Sequence, residues 1–180
     1  MRTILTILLA AGLAPAASAQ TPASTTPSAN PISDGIRSQW NGVKRNIKES
    51  ADQMPEENYN FKPTPDVRSF GEILSHVAGA SYLICAGAKG EKSPFEEDHF
   101  EKTAKTKAEI VKATNDAIAY CDGVFTALTD ATAGQVPSGG GQSSRVARLV
   151  LQIGHDNEHY GNLVTYFRLK GMVPPSSKRQ

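Results

Sequence analysis

The chain has 180 residues, which suits one domain. Apolar residues make up 39%, slightly low for a globular protein but enough for one core. The formal charge is +1 and falls to zero once a leader carrying Arg2 is discounted, which disfavours nucleic acid as a partner because phosphate binding needs a basic patch.

Residues 1–19 read as a secretory leader. Arg2 gives a positive start, residues 4–13 are an apolar run too short to span a bilayer, and Ala17-Ser18-Ala19 supplies the small residues around a cut after Ala19. The mature chain is expected to be exported, periplasmic or secreted, with no membrane contact after cleavage. Residues 20–31 are rich in Ser, Thr, Pro and Ala, cannot bury enough to order themselves, and read as a flexible tether. One domain over residues 32–175 and a tail over 176–180 follow.

The spacing predicts four helices. The first covers residues 33–53, with Ile36, Trp40, Val43 and Ile47 at helical intervals, Ser33 or Asp34 as cap and Pro55 after the end. Ser69 and Glu72 form a capping box that opens the second, whose stripe is Phe70, Ile73, Leu74, Val77 and Ile84. Gly87, Gly90 and Pro94 end it. A connection longer than a tight helical hairpin needs leads to a second capping box, Thr106 and Glu109. The third helix then carries Ile110, Val111, Ala117, Ile118, Cys121, Phe125 and Leu128. The glycine-rich stretch 134–141 lacks the ending of a phosphate-binding loop and reads as a connector. The fourth helix runs over residues 143–170 with a stripe of Val146, Leu149, Val150, Ile153, Tyr160, Val164 and Phe167, and Gly171 and Pro174 stop it. With no convincing strand alternation, the expected class is all-α, a four-helix bundle.

Four histidines bear on function. His155 and His159 are four apart and share one helix face, a spacing at which two imidazoles can grip one metal ion. By about 100° per residue both lie well round from the centre of their helix's stripe, and so does His76 on the second helix. All three fall at the shoulder of the core face, where a cleft between helices would place a ligand. The competing reading is three surface or hydrogen-bonded histidines. Asp156 stands where the zinc-protease motif needs Glu, and the paired Glu-x-x-His motifs of a di-iron bundle are absent. His99, in the long connection, reads as surface. The two cysteines, Cys85 and Cys121, either pair in an oxidising compartment or stay as buried free thiols.

Residues 68–80, RSFGEILSHVAGA, resemble the second helix of the DinB family. Residues 155–175, HDNEHYGNLVTYFRLKGMVPP, resemble its closing signature, a His-x-x-x-His pair, a glycine and an aliphatic helix ending in Gly-x-x-Pro-Pro. The resemblance implies a four-helix bundle with a long crossover between the second and third predicted helices. It implies one divalent metal ion held by His76, His155 and His159. Relatives transfer low-molecular-weight thiols or isomerise with a thiol cofactor. This chain departs from that pattern at Tyr160 and Asn162, where the family often has Arg and Gln, and in its expected export. The implied crossover sets the second and third predicted helices parallel. It thereby implies a Cys85–Cys121 disulfide.

Two functions stand open. One is a metal-dependent hydrolase or thiol-transferase-like enzyme acting on a small molecule, since an open three-histidine site can acidify a bound water or thiol and polarise a carbonyl. Asp156 and Glu158 flank the ligands and are its candidate base or outer partners, with solvent exposure favoured for Glu158 and a capping role for Glu72. The other is a non-catalytic metal-binding or stress-related module. Zinc, nickel, iron and manganese all suit imidazole. A homodimer is compatible with either.

Overall fold

The computed structural model describes residues 27–139 and 141–179. The expected leader and most of the expected tether lie outside the described residues. Those described form six helices: α1 (Pro31–Gln53), α2 (Phe70–Lys89), α3 (His99–Thr103), α4 (Lys107–Ala127), α5 (Asp130–Ala133) and α6 (Arg145–Leu169), with 3-10 turns at Glu56–Asn58 and Pro175–Arg179.

Both expected capping boxes form. Ser69 and Glu72 satisfy each other's backbone N–H at the start of α2, and Thr106 and Glu109 do so for α4. The start of α1 differs from expectation. Neither Ser33 nor Asp34 caps it. Asp130 of α5 instead accepts from the Ile32 and Ser33 backbone N–H groups at 3.1 and 2.8 Å and from the Ser33 hydroxyl at 2.8 Å. The Asn30 side chain accepts in return from the Asp130 N–H at 3.0 Å. The first turn's orphan donors are thus satisfied by a residue far along the chain, which local spacing could not reveal.

The four long helices make the bundle. α1 packs on α4 and α6, and α2 packs on the same two. The direction of each pair follows from which ends meet. Gly71 and Ile110 touch at one end of α2 and α4, and Cys85 and Cys121 join at the other with Cα atoms 5.5 Å apart, so α2 and α4 are parallel. Phe70 meets Phe167, and Ser81 meets Gln152, so α2 and α6 are antiparallel. The crossover and the disulfide implied by the family resemblance are therefore both present. Cys85 stands off the apolar stripe of α2, but that helix is buried almost all round, so the displacement does not expose it.

Parallel α2 and α4 force the connection over residues 90–106 back along the whole length of α2. It presses on that helix at Gly79, where an added Cβ would lie 1.8 Å from the Glu97 carbonyl oxygen. Only glycine lets the two backbones approach this closely. Phe95 and Phe100 pack beside Tyr82, Ala78, Ala113 and Ala117 and hold the connection down. His99, expected at the surface, is half-buried here and stacks on Phe95 at 4.7 Å between ring centres.

On α6 the buried face is Leu149, Gln152, Asp156, Tyr160, Leu163, Tyr166 and Phe167. The expected stripe was centred too far round: Val150 is 51% exposed, while the polar Gln152 and Asp156 are in the core. The expected tail forms the turn Pro175–Arg179. The Tyr160 hydroxyl donates to the Ser176 hydroxyl and accepts from the Ser176 N–H, both at 2.8 Å. No described helix is long and apolar enough to cross a membrane.

Candidate metal centre

The second turn of α2 carries His76, and the middle of α6 carries His155 and His159. Because the helices are antiparallel neighbours, the three rings face one another between them. Ring centres are 5.1 Å apart for His76 and His155, 4.9 Å for His76 and His159, and 4.5 Å for His155 and His159. One nitrogen from each ring lies within 4.8 Å of the other two. Nε2 of His76 and Nε2 of His155 are 3.2 Å apart. Two nitrogens bound to one ion at about 2.0–2.1 Å with a tetrahedral angle stand about 3.3 Å apart, so this pair already has the spacing of two ligands on one centre.

The electrostatics leave lone pairs available. Burial, the neighbouring His155 and His76 rings and Arg68 push His159 down to about 4. Burial, Arg68 and His155 lower His76 too, against the opposing pull of Glu101 and Glu97. Both are neutral near pH 7, the form that binds metal.

Carboxylates stand behind two of the rings. Asp156 Oδ1 lies 3.3 Å from His155 Nδ1, and Glu101 Oε1 lies 3.3 Å from His76 Nδ1. With Nδ1 facing a carboxylate and Nε2 facing the centre, both rings are oriented as metal-binding histidines usually are. Asp156 is 1% exposed, and burial raises its pKa against the favourable pull of His155. Gln152, buried one turn before it, donates to the Ser81 hydroxyl at 2.8 Å and fixes this part of α6 on α2. Glu101 is held by Arg68, whose Nε donates to Glu101 Oε2 at 3.0 Å. The Arg68 carbonyl in turn accepts from the Tyr166 hydroxyl.

Two hollows flank the trio. A cleft of about 730 Å³ lies on the His159 side, lined by Arg68, Val67, Ile73, Asn162, Thr165 and Tyr166 among others. A smaller hollow of about 390 Å³ lies on the His76 side, lined by Arg68, Glu96, Glu97, Asp98 and Glu101.

The histidines singled out from sequence are therefore brought together. Asp156 sits behind His155 and is not part of the cleft wall, whereas Glu158 is exposed and lines it. Glu72 serves its capping box and pairs with Lys62 at 2.9 Å. Tyr160 is buried against Ser176, so of the two positions where the chain departs from the family pattern only Asn162 faces the cleft. Sequence reasoning missed Arg68, Glu101, Gln152 and Gly79. The charged pair carried no local signal, but Gln152 and Asp156, at core spacing between Leu149 and Tyr160, could have been read as buried polar residues.

A family model described as the DinB superfamily matches residues 39–163. The chain belongs to the DinB superfamily. The chain is 25% identical over 129 residues to the uncharacterized protein YjoA of Bacillus subtilis (strain 168), covering 71% of this chain and 84% of that one. Its fold is similar to that of a DinB-like protein from Bacillus cereus ATCC 10987, with a TM-score of 0.65, 17% identity, and coverage of 79% of this chain and 95% of the other. A conserved protein from Enterococcus faecalis is similar at a TM-score of 0.61 and 16% identity, covering 77% and 96%. At these identities the structural likeness concerns the fold. In this DinB-superfamily chain the three histidines form a group that could hold a metal ion.

Proposed function

We propose that this protein is an exported metalloenzyme that binds one divalent ion through His76, His155 and His159 and acts on a small molecule held in the cleft beside His159. The observation that carries the reading is the convergence of three imidazole nitrogens, with one of the rings, His159, in the wall of a cleft large enough for a small substrate. Three protein ligands leave a coordination position for substrate, as catalytic sites require. When bound, the ion supplies Lewis acidity, polarising a carbonyl or acidifying a water or thiol. The chain's own residues do the rest. Asp156 and Glu101 orient the rings of His155 and His76, Asn162 and Thr165 offer hydrogen bonds to the bound molecule, and Glu158 is the exposed carboxylate placed to accept a proton. Hydrolysis and thiol transfer both suit this arrangement. The leader expected over residues 1–19 supports export, and the disulfide agrees with an oxidising compartment.

Metal analysis of protein purified without added metal tests the reading. One equivalent of a divalent ion is expected in the unaltered chain and none in a His155→Ala, His159→Ala double variant. Full occupancy of that double variant would sink it.

A further inference from the structure

The cleft beside His159 has a direction. His159, Asn162 and Tyr166 line it about a turn apart along α6, so it extends about 10 Å from the histidines. Ile73, one turn before His76 on α2, lines the same cleft. At the far end the Tyr166 hydroxyl donates to the Arg68 carbonyl and so holds the loop before α2 in place. That loop adds Val67 and Pro63 to the wall.

The polar groups of this far end are already engaged. With its hydroxyl bonded to the Arg68 carbonyl, Tyr166 offers the cleft mainly its ring. Arg68 is the one cation in the wall, and two of its nitrogens donate to Glu101 at 3.0 and 3.4 Å. Asp66 and Glu158 also line the cleft and form no ion pair among the described residues. An isolated exposed apolar side chain is ordinary on a protein surface. Val67 is not isolated: it is 41% exposed, and it shares a concave wall with Ile73, the Tyr166 ring and a histidine of the metal centre.

We propose that the cleft selects a substrate with an uncharged apolar tail, a short acyl or alkyl chain that lies on Val67, Ile73 and Tyr166 while its reacting group faces His159. This names the substrate class of the reading above and rests on it. Each methylene fully buried on that wall gains about fourfold in affinity. A tail ending in a carboxylate would lose its hydration and meet Asp66 and Glu158, with the Arg68 charge already countered by Glu101. Val67 is then a specificity-determining residue, and the two free carboxylates turn anionic tails away.

Titration of the Co²⁺-loaded mature chain with three hydroxamates, read by the visible spectrum of the bound ion, tests the tail site. Acetohydroxamate, pentanohydroxamate and glutaric monohydroxamate share a metal-binding head. The last two have equally long carbon chains, one ending in a methyl and the other in a carboxylate. At about 10 mM salt, where charges are little screened, pentanohydroxamate should bind about tenfold tighter than acetohydroxamate, and glutaric monohydroxamate no tighter than acetohydroxamate. V67S should cut the tenfold advantage to less than about threefold and change acetohydroxamate binding less than about twofold. V136S, at an exposed valine outside the cleft, should alter none of the three. D66N/E158Q should narrow the gap between the two long probes about threefold or more. Equal binding of the short and long neutral probes overturns the tail site, as does a full advantage retained in V67S. Glutaric monohydroxamate matching pentanohydroxamate in the unaltered chain, or a gap unmoved in D66N/E158Q, overturns the rejection of anions. In each of those cases the loaded ion still binds the hydroxamate head, so the metal centre stands. If the chain takes up no Co²⁺, the metal centre itself fails and the tail site with it.

Discussion

Along the seam between α1 and α4, Trp40 stacks on Phe125 with ring centres 4.5 Å apart, and its indole N–H donates to Asp122 at 2.6 Å, which Lys44 also neutralises. Apolar area is buried there, and the indole's polar atom has a partner. Along the seam between α2 and α6, the buried residues include His76, Gln152 and Asp156. Nδ1 of His76, Oε1 of Gln152, Oδ2 of Asp156 and Nδ1 of His159 are all buried without a hydrogen bond. An unsatisfied buried polar group costs about 1–3 kcal/mol. Both seams bury apolar side chains, but the second also gives up stability to keep imidazoles and a carboxylate in place for a ligand.

The largest expected effects test that division. W40A should lower unfolding free energy by about 3–5 kcal/mol in urea melts, as for other large buried aromatics. Replacing His159 by Leu should abolish metal loading and yet leave the metal-free protein as stable as before, or more so, because it removes an orphaned polar atom. A loss in the His159 variant as large as that of W40A would erase the distinction between the seams.

Next in size is the staple between α2 and α4. C85A/C121A removes a cross-link that spans 36 residues, which should cost about 3–4 kcal/mol by loop-closure entropy, read as a lower urea midpoint. The geometry of the trio should survive, so Co²⁺ bound to the folded variant should give an unchanged spectrum.

A third variant bears on the crossover. G79A places a methyl group against the Glu97 carbonyl and must push the connection outward. About 1–3 kcal/mol of stability should be lost to the overpacking. Metal affinity should fall about tenfold as Glu101 leaves His76, measured by competition with a chelator. An unchanged affinity would show that Glu101 does not matter to the site.

The last effect is on pH dependence. His159 is held at about 4 in the folded chain, below the ordinary histidine value of 6.5. Between those values the unfolded chain binds the extra proton, so stability of the metal-free protein should fall as pH drops from about 6.5 towards 4 and be flat above that window. Asp156 works the other way: burial raises its pKa, so above 3.8 the folded chain keeps a proton that the unfolded chain has released, and its contribution to stability declines as pH rises. H159L should flatten the fall if His159 is its main source; thermal melts across the window decide this.

The α1–α4 seam was largely legible in the sequence, because its burial follows apolar periodicity: Trp40, Val43 and Ile47 are all in the core. The capping boxes were legible too, since a cap is a local pattern. The α2–α6 seam was legible in its histidines and in apolar residues such as Phe70, Leu74, Leu149 and Phe167, but not in its buried polar residues. Its polar core residues broke the periodicity, which moved the expected stripe of α6 onto exposed Val150. The carboxylate behind His76 comes from the connection, and Asp130 caps α1 from a distant helix. Contacts of that kind arise from chain reversal in space and leave no spacing in the sequence.

The placement of Glu97 and Glu101 has an evolutionary corollary. The metal-facing nitrogens belong to the bundle helices, but the acids over His76 belong to the segment that returns along α2. That segment is tied at Gly79 and at the aromatic group around Phe95, and otherwise contributes little to the bundle's interior. Mutations, insertions or exchanges within it can therefore retune the charge and access around the centre while the histidines keep their positions. Divergence among chains of this architecture should concentrate there, with the scaffold inherited and the surroundings of the ion rewritten.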